Sequence, residues 1–219
     1  MRVEADNDNF RISYQRGDSS TLVVAFTGIG HGLGGIQTEE FRNSLSQAGD
    51  MASPQVAYVI DKRRLWYNNG MADDIVRVLN DIVERENSTR VATLGNSMGG
   101  FGAIVFARRL SNCIQAIAFC PQSSVNADIA PFEDRWPEWR AGVSAWSVLD
   151  ATLECDARVR YDVFYGMDDP IDMQHAGRFR SMEASNVTVH LVKDCSHDVA
   201  GFLKKRGELG AILGRLIWP

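Results

Sequence analysis

The sequence predicts an α/β fold: a mostly parallel central sheet flanked by helices. Two observations carry this. Short β-branched and apolar runs alternate with longer runs whose apolar residues recur at helical spacing, and this alternation lays successive strands side by side in parallel. The chain has 219 residues and is 45% hydrophobic, enough to bury one substantial core without splitting. A single domain over residues 1–219 is therefore expected, with a small cap-like insertion at about 122–145.

In chain order, the expected strands are residues 10–15, 21–26, 56–61, 90–94, 114–120, 159–165 and 187–192. Each is a short run bounded by turn-forming residues, as in Thr21-Leu-Val-Val-Ala-Phe26 and Val187-Thr-Val-His-Leu-Val192. Helices are expected over 38–48, 71–85, 98–110, 172–184 and 199–217. The second is the clearest, because Ile75, Val76, Leu79, Ile82 and Val83 fall on one helical face. Residues 122–139, QSSVNADIAPFEDRWPEW, break the rhythm with two prolines, two tryptophans and several acids. They read as an insertion over one end of the sheet.

A net charge of −5 argues against nucleic-acid or anionic-membrane partners, which favour clustered Lys and Arg. The compact basic clusters, Lys62-Arg63-Arg64 and Lys204-Lys205-Arg206, read as solvated faces or turns. The acidic start of the chain lacks the apolar stretch of a signal peptide, and no apolar run approaches transmembrane length. A cytoplasmic location is expected. Cys113, Cys120, Cys155 and Cys195 form no C-x-x-C pair, so neither a disulfide scaffold nor a zinc site is expected.

Gly95-Asn-Ser-Met-Gly-Gly100 stands between an expected strand and an expected helix. A G-x-S-x-G sequence there has a mechanical basis: the chain reverses so sharply that small neighbours are required, and the serine hydroxyl is left at a helix N-terminus. Ser97 is thus a candidate nucleophile; the alternative is a glycine-rich turn whose serine caps the helix. A serine hydroxyl needs a base and a group that orients the base. His197 follows the 187–192 strand on a loop at the same end of the sheet and is the preferred base. His190 lies within that strand and His175 in a helix, while His31 sits in a glycine-rich loop where it could touch substrate. Asp168 and Asp169 follow the 159–165 strand and are both available as the acid, or as turn and N-cap residues.

The elbow and the order Ser97, Asp, His197 resemble the α/β-hydrolase superfamily over most of the chain. The resemblance implies the α/β-hydrolase fold and a serine hydrolase of the carboxylesterase kind. That family often has G-x-x-D after this strand, met here by Gly166-Met-Asp-Asp169, which favours Asp169 over Asp168. It also implies an oxyanion hole built from the backbone N–H groups of Met98 and, in the loop after the 21–26 strand, Ile29. Thr27-Gly28-Ile29 stands there in place of the family's frequent His-Gly-x, so Thr27 departs from the pattern.

Gly30 to Gly35 also fits G-x-G-x-x-G after a strand, with Asp61 ending the next expected strand. A dinucleotide-binding oxidoreductase would start a helix on these glycines, yet helical spacing resumes only near Thr38, and the elbow, Asp169 and His197 would go unexplained. A non-catalytic binding protein on the hydrolase fold is a further alternative. The expected chemistry is acyl transfer through a covalent intermediate, without metal or organic cofactor, on a small-molecule acyl substrate. Trp66, Tyr67 and Trp136 are candidate substrate-binding aromatics, and a polar ester such as an acylated sugar, or equally a small aromatic ester, would suit them; the alternative is that they pack the insertion against the body.

Overall fold

The computed structural model describes residues 1–29, 39–48 and 53–218. Its elements are β1 (Arg2–Asp6), β2 (Phe10–Gln15), β3 (Thr21–Phe26), α1 (Arg42–Ala48), β4 (Gln55–Asp61), α2 (Met71–Arg85), β5 (Arg90–Asn96) and α3 (Met98–Ala107). They continue with β6 (Cys113–Phe119), α4 (Pro137–Arg140), β7 (Arg160–Gly166), α5 (Pro170–Arg180), β8 (Val187–Val192), α6 (Val199–Lys205) and α7 (Leu209–Ile217). The strands form one sheet in the order β1-β2-β4-β3-β5-β6-β7-β8. β2 runs antiparallel to β1 and β4, and every other pairing is parallel. This is the α/β architecture that the alternation of runs predicts.

Position in the sheet explains the composition of each strand. Every residue of β3 and β4 is buried, as befits central strands with both faces covered, which read as continuous apolar runs. β8, at one edge, is only half-buried. β1, at the other edge, carries Arg2, Glu4 and Asp6 and is largely exposed. That charged composition, which protects an edge from pairing with another chain, also hides the strand from a search for apolar runs.

One side of the sheet is packed by α2, α3 and α5, with Ile75, Leu79, Ile82, Phe101, Phe106 and Phe179 in its core. The other is packed by α1, α6 and α7 through Leu45, Leu203, Leu213 and Ile217. Several helix bounds depart from expectation: α1 begins at Arg42, α3 ends at Ala107 and α5 ends at Arg180, and two further departures have a visible cause. The run at 199–217 is split into α6 and α7 at Gly207, whose φ of 75° is a left-handed conformation that glycine adopts without a steric penalty. α5 starts at Pro170, two residues early, because proline's fixed φ suits the first helical position and Asp169 caps it. Parallel register brings the C-terminal ends of β3, β5, β6, β7 and β8 to one edge, the edge where open α/β sheets present their sites.

Candidate active site

Between β5 and α3 the backbone turns on Ser97, whose φ of 55° and ψ of −119° lie outside the regions that L-residues normally occupy. Glycines make the reversal possible. A Cβ at Gly95 would lie 2.0 Å from the Gly99 carbonyl oxygen, and one at Gly99 would lie 2.1 Å from that of Phe26. The strain is held by neighbouring structure: the Ser97 N–H donates to the Phe119 carbonyl of β6 at 2.8 Å. Met98 opens α3, so its N–H belongs to the first turn, whose donors have no partner within the helix.

His197 lies on the loop after β8, with its Nε2 at 2.9 Å from Ser97 Oγ. Its Nδ1 lies 2.9 Å from both carboxylate oxygens of Asp172, and Asp172 has no exposed side-chain surface. The expectation that Asp169 faces this imidazole is corrected. Asp169 is the N-cap of α5, its Oδ1 accepting the N–H groups of Ile171 and Asp172 at 3.0 and 2.9 Å. Asp168 is exposed on the turn before it. The physical reason is legible in Asp169-Pro170: a residue that caps a helix opened by proline has its carboxylate committed to the backbone, and the acid one turn further in is the one turned to His197.

Asp172 is surrounded by groups that favour its charge. Burial opposes ionisation, but His197 and Arg135 outweigh it and hold its pKa below the usual carboxylate range. Cys120 Sγ also approaches Asp172 and, with no exposed surface, has its thiol pKa pushed well up by burial and by that carboxylate. Cys120, Asp172 and His197 form the one set among the described residues whose ligand atoms come close enough for a metal ion.

Arg135, from the segment between β6 and α4, donates from Nη1 to Asp172 Oδ1 at 3.1 Å. Its Nε and Nη2 grip the buried carboxylate of Glu133. Glu133 in turn meets His175 Nε2 at 3.0 Å, and His175 Nδ1 accepts the Ser123 N–H at 3.1 Å. That N–H fixes the tautomer: Nδ1 carries no proton and Nε2–H donates to Glu133. Burial opposes charge on Glu133, yet His175 and Arg135 pull its pKa down to about 2. Burial also lowers the pKa of His175.

Of the remaining residues singled out in the sequence, Trp66 and Tyr67 are buried and offer no face to a ligand. Their role as substrate-binding aromatics is corrected: Trp66 donates its indole N–H to Gln122 Oε1 at 3.0 Å and Tyr67 its hydroxyl to the Thr27 carbonyl at 3.1 Å. Trp136 is half-buried, next to Arg135 and stacked at a tilt on Trp139. Ile29 is buried, and the Gly28 N–H before it donates to Glu40 Oε1 at 3.1 Å. Burial raises Glu40 to a pKa of about 8 against that one hydrogen bond. His190 pairs with Asp162 at 2.7 Å on the sheet edge. His31 and Gly30 to Gly35 lie outside the described residues. Sequence reasoning missed Asp172, Gln122, Arg135 and Glu133; only Asp172 left a trace, in the Asp-Pro cap three residues before it.

No family model matches the sequence, and a search of curated proteins finds no relative. Solved structures do match. A hyperthermophilic esterase from Pyrobaculum calidifontis superposes with a TM-score of 0.65 at 15% identity, over 95% of this chain and 80% of that one. The Thermogutta terrifontis esterase Est2 gives 0.64 at 14% identity over 99% and 90%. The capsule O-acetyltransferase of Neisseria meningitidis serogroup A gives 0.63 at 14% identity over 94% and 93%. This chain has the α/β-hydrolase fold. Within that fold, Ser97, His197 and Asp172 follow the carboxyl ends of β5, β8 and β7 at one edge of the sheet. Among the described residues, no helix is long and apolar enough to cross a membrane.

Proposed function

We propose that the protein is a serine hydrolase that cleaves a small ester through a Ser97–His197–Asp172 triad and an acyl-enzyme. The observation that carries this reading is the unbroken contact line from Asp172 to His197 Nδ1 and from Nε2 to Ser97 Oγ, each step 2.9 Å, ending on a serine with strained backbone. His197 accepts the Oγ proton as Oγ attacks the ester carbonyl, and Asp172 stabilises the imidazolium that forms. The proton then passes to the departing alcohol, and water repeats the sequence to release the acid. The N–H groups of Met98 and Ile29 are the proposed oxyanion donors; losing one such donor typically costs about 3 kcal/mol of barrier.

Trp136 is the aromatic best situated to meet a substrate, because it is half-buried and adjoins Arg135, which lies 3.0 Å from His197 Nδ1. A fluorophosphonate probe with the Ser97→Ala variant tests the nucleophile. Wild type should label at Ser97 and hydrolyse p-nitrophenyl acetate, and the variant should do neither; equal behaviour of the two overturns the reading. An esterase among the structural neighbours was solved phosphonylated by sarin, which makes this reagent class a natural choice. The O-acetyltransferase neighbour favours a second reading, acyl transfer to an alcohol. An increase in acylated polyol over free acid when a polyol acceptor is added separates transfer from hydrolysis.

A further inference from the structure

The structure assigns Gln122 as a third hydrogen-bond donor of the candidate site, acting on Ser97 Oγ itself, and Trp66 as the residue that positions it. This inference rests on Ser97 being the nucleophile. Gln122 has no exposed surface, and its Nε2 lies 3.2 Å from Ser97 Oγ while its Oε1 lies 3.0 Å from Trp66 Nε1. The two ends of a side-chain amide are hard to tell apart by shape, but here chemistry decides. An indole N–H can only donate, so Oε1 must face Trp66 and the amide N–H must face Ser97.

The rest of the line is then directional. Oγ accepts from Gln122 and gives its own hydrogen to His197 Nε2, which leaves Nδ1–H to donate to Asp172. Arg135, which can only donate, therefore directs its Nη1–H to Asp172 and not to Nδ1, although both are near. Hydrogen polarity runs one way from Trp66 to the triad.

The loop after β4 is built to hold Trp66. Asp61, buried at the end of β4, accepts the N–H groups of Arg63, Leu65 and Tyr67 at 3.0, 2.8 and 3.0 Å. Arg64, Trp66, Tyr67 and Asn69 all have φ between 49° and 60°, a costly conformation for residues with a Cβ. Asn68 Oδ1 ties the loop to the N–H groups of Ser147 and Val148. Strain of this kind persists only where surrounding structure over-determines it, and its product is an indole N–H aimed at one amide.

Donation to Oγ matters when Oγ carries charge. In acylation, the Oγ–H bond breaks toward Nε2 as the Oγ–C bond forms and the carbonyl electron pair moves onto its oxygen, with the amide N–H stabilising the charge that develops on Oγ; the C–O bond to the alcohol then breaks as the alcohol takes the proton from Nε2. In deacylation, water attacks and gives its proton to Nε2; the C–Oγ bond breaks with its electron pair on Oγ, which regains the proton from Nε2. The Gln122 N–H is retained throughout.

Rates of fluorophosphonate labelling and of p-nitrophenyl acetate turnover test this on Gln122→Met, Trp66→Phe and the double variant, with Ser97→Ala as control. Gln122→Met should slow labelling and kcat by about tenfold or more with KM little changed. Trp66→Phe should slow both less, and the double variant should be no slower than Gln122→Met, since Trp66 acts through the amide. If wild type labels at Ser97 and Gln122→Met keeps its rate, or if the two losses multiply, the inference is overturned while the hydrolase reading stands. If wild type and Ser97→Ala label alike, both fail. Should Gln122→Met not fold, Trp66→Phe decides: labelling at the wild-type rate overturns the assignment, and slower labelling with KM unchanged upholds it.

Discussion

Two histidine–carboxylate pairs flank the guanidinium of Arg135. His197 and Asp172 lie on one side, His175 and Glu133 on the other, and each imidazole has a serine hydroxyl close by: Ser97 at 2.9 Å from Nε2 of His197, Ser123 at 2.8 Å from Nδ1 of His175. In residue types they are nearly the same constellation. They differ in access and in the fate of the free ring nitrogen. The side chain of His197 is 25% exposed, whereas those of His175 and Glu133 have no exposure. His175 Nδ1 is filled by the Ser123 N–H, and Ser123 Oγ also accepts from Arg178 at 2.8 Å. The same residue types thus sit in two settings: beside His197 the serine has a strained backbone and the imidazole is partly exposed, whereas His175 is fully buried with a backbone N–H on its free ring nitrogen.

The sharpest way to break this contrast is to alter each pair in turn. Asp172→Asn should present His197 in the wrong tautomer and lower kcat/KM by roughly 10³ to 10⁴-fold. His175→Gln should change kcat per folded molecule by no more than a few-fold. Steady-state kinetics on p-nitrophenyl acetate check both, and comparable losses would abolish the distinction. Next in size is the guanidinium the pairs share. Arg135→Met leaves two buried carboxylates without their cation, and breaking a buried pair in this way typically costs about 3 to 5 kcal/mol. Urea unfolding measures it. Because Glu133 is one of those carboxylates, Glu133→Gln with Arg135→Met should cost less than the two single changes added. Simple additivity would show that the guanidinium is not the link.

Both pairs answer to acid, since Glu133 and Asp172 are each held below the ordinary carboxylate range. Glu133 ionises near 2 in the folded chain against an ordinary value of about 4.5. A carboxylate depressed by folding contributes stability that is full above its unfolded pKa and is lost as pH falls through the folded one. For Glu133 the window runs from roughly pH 5 downward, and about 2 kcal/mol should be gone by pH 3. Unfolding at pH 5 and pH 3 should therefore show a steeper loss for wild type than for Glu133→Gln. Parallel losses would mean that the buried pair does not stabilise the fold through its charge.

What the sequence made legible follows chain-local rules. β2, β3, β8 and α2 end where their patterning ends, since a buried strand or an amphipathic face is written in consecutive residues. Ser97 and His197 could be found because each sits within a few residues of a strand end. Gln122, Glu133 and Arg135 could not, because they belong to a stretch whose conformation is set by contacts with distant chain: Gln122 by Trp66, Arg135 by Asp172. Trp66 and Tyr67 misled for the same reason. Aromatic residues in a loop look like a binding surface until a buried aspartate, Asp61, is seen to gather the loop's N–H groups and turn the rings inward.

The turn after β7 offers the smallest and most discriminating change. Asp169 and Asp172 lie three residues apart, one bonded to the backbone and the other to an imidazole. Asp169→Ala should cost about 1 kcal/mol of stability, the usual value of an N-cap, and Asp169→Asn should restore most of it because an amide oxygen accepts the same N–H groups. Both variants should keep kcat within a few-fold, since the Asp172 carboxylate retains its hydrogen bond to His197. The same aspartate-to-asparagine exchange is then nearly silent at 169 and severe at 172. Thermal unfolding and kinetics on the two asparagine variants read both halves. A severe kinetic loss at 169 with little at 172 would return the acid's role to Asp169 and make the Asp172 contact a resting-state arrangement.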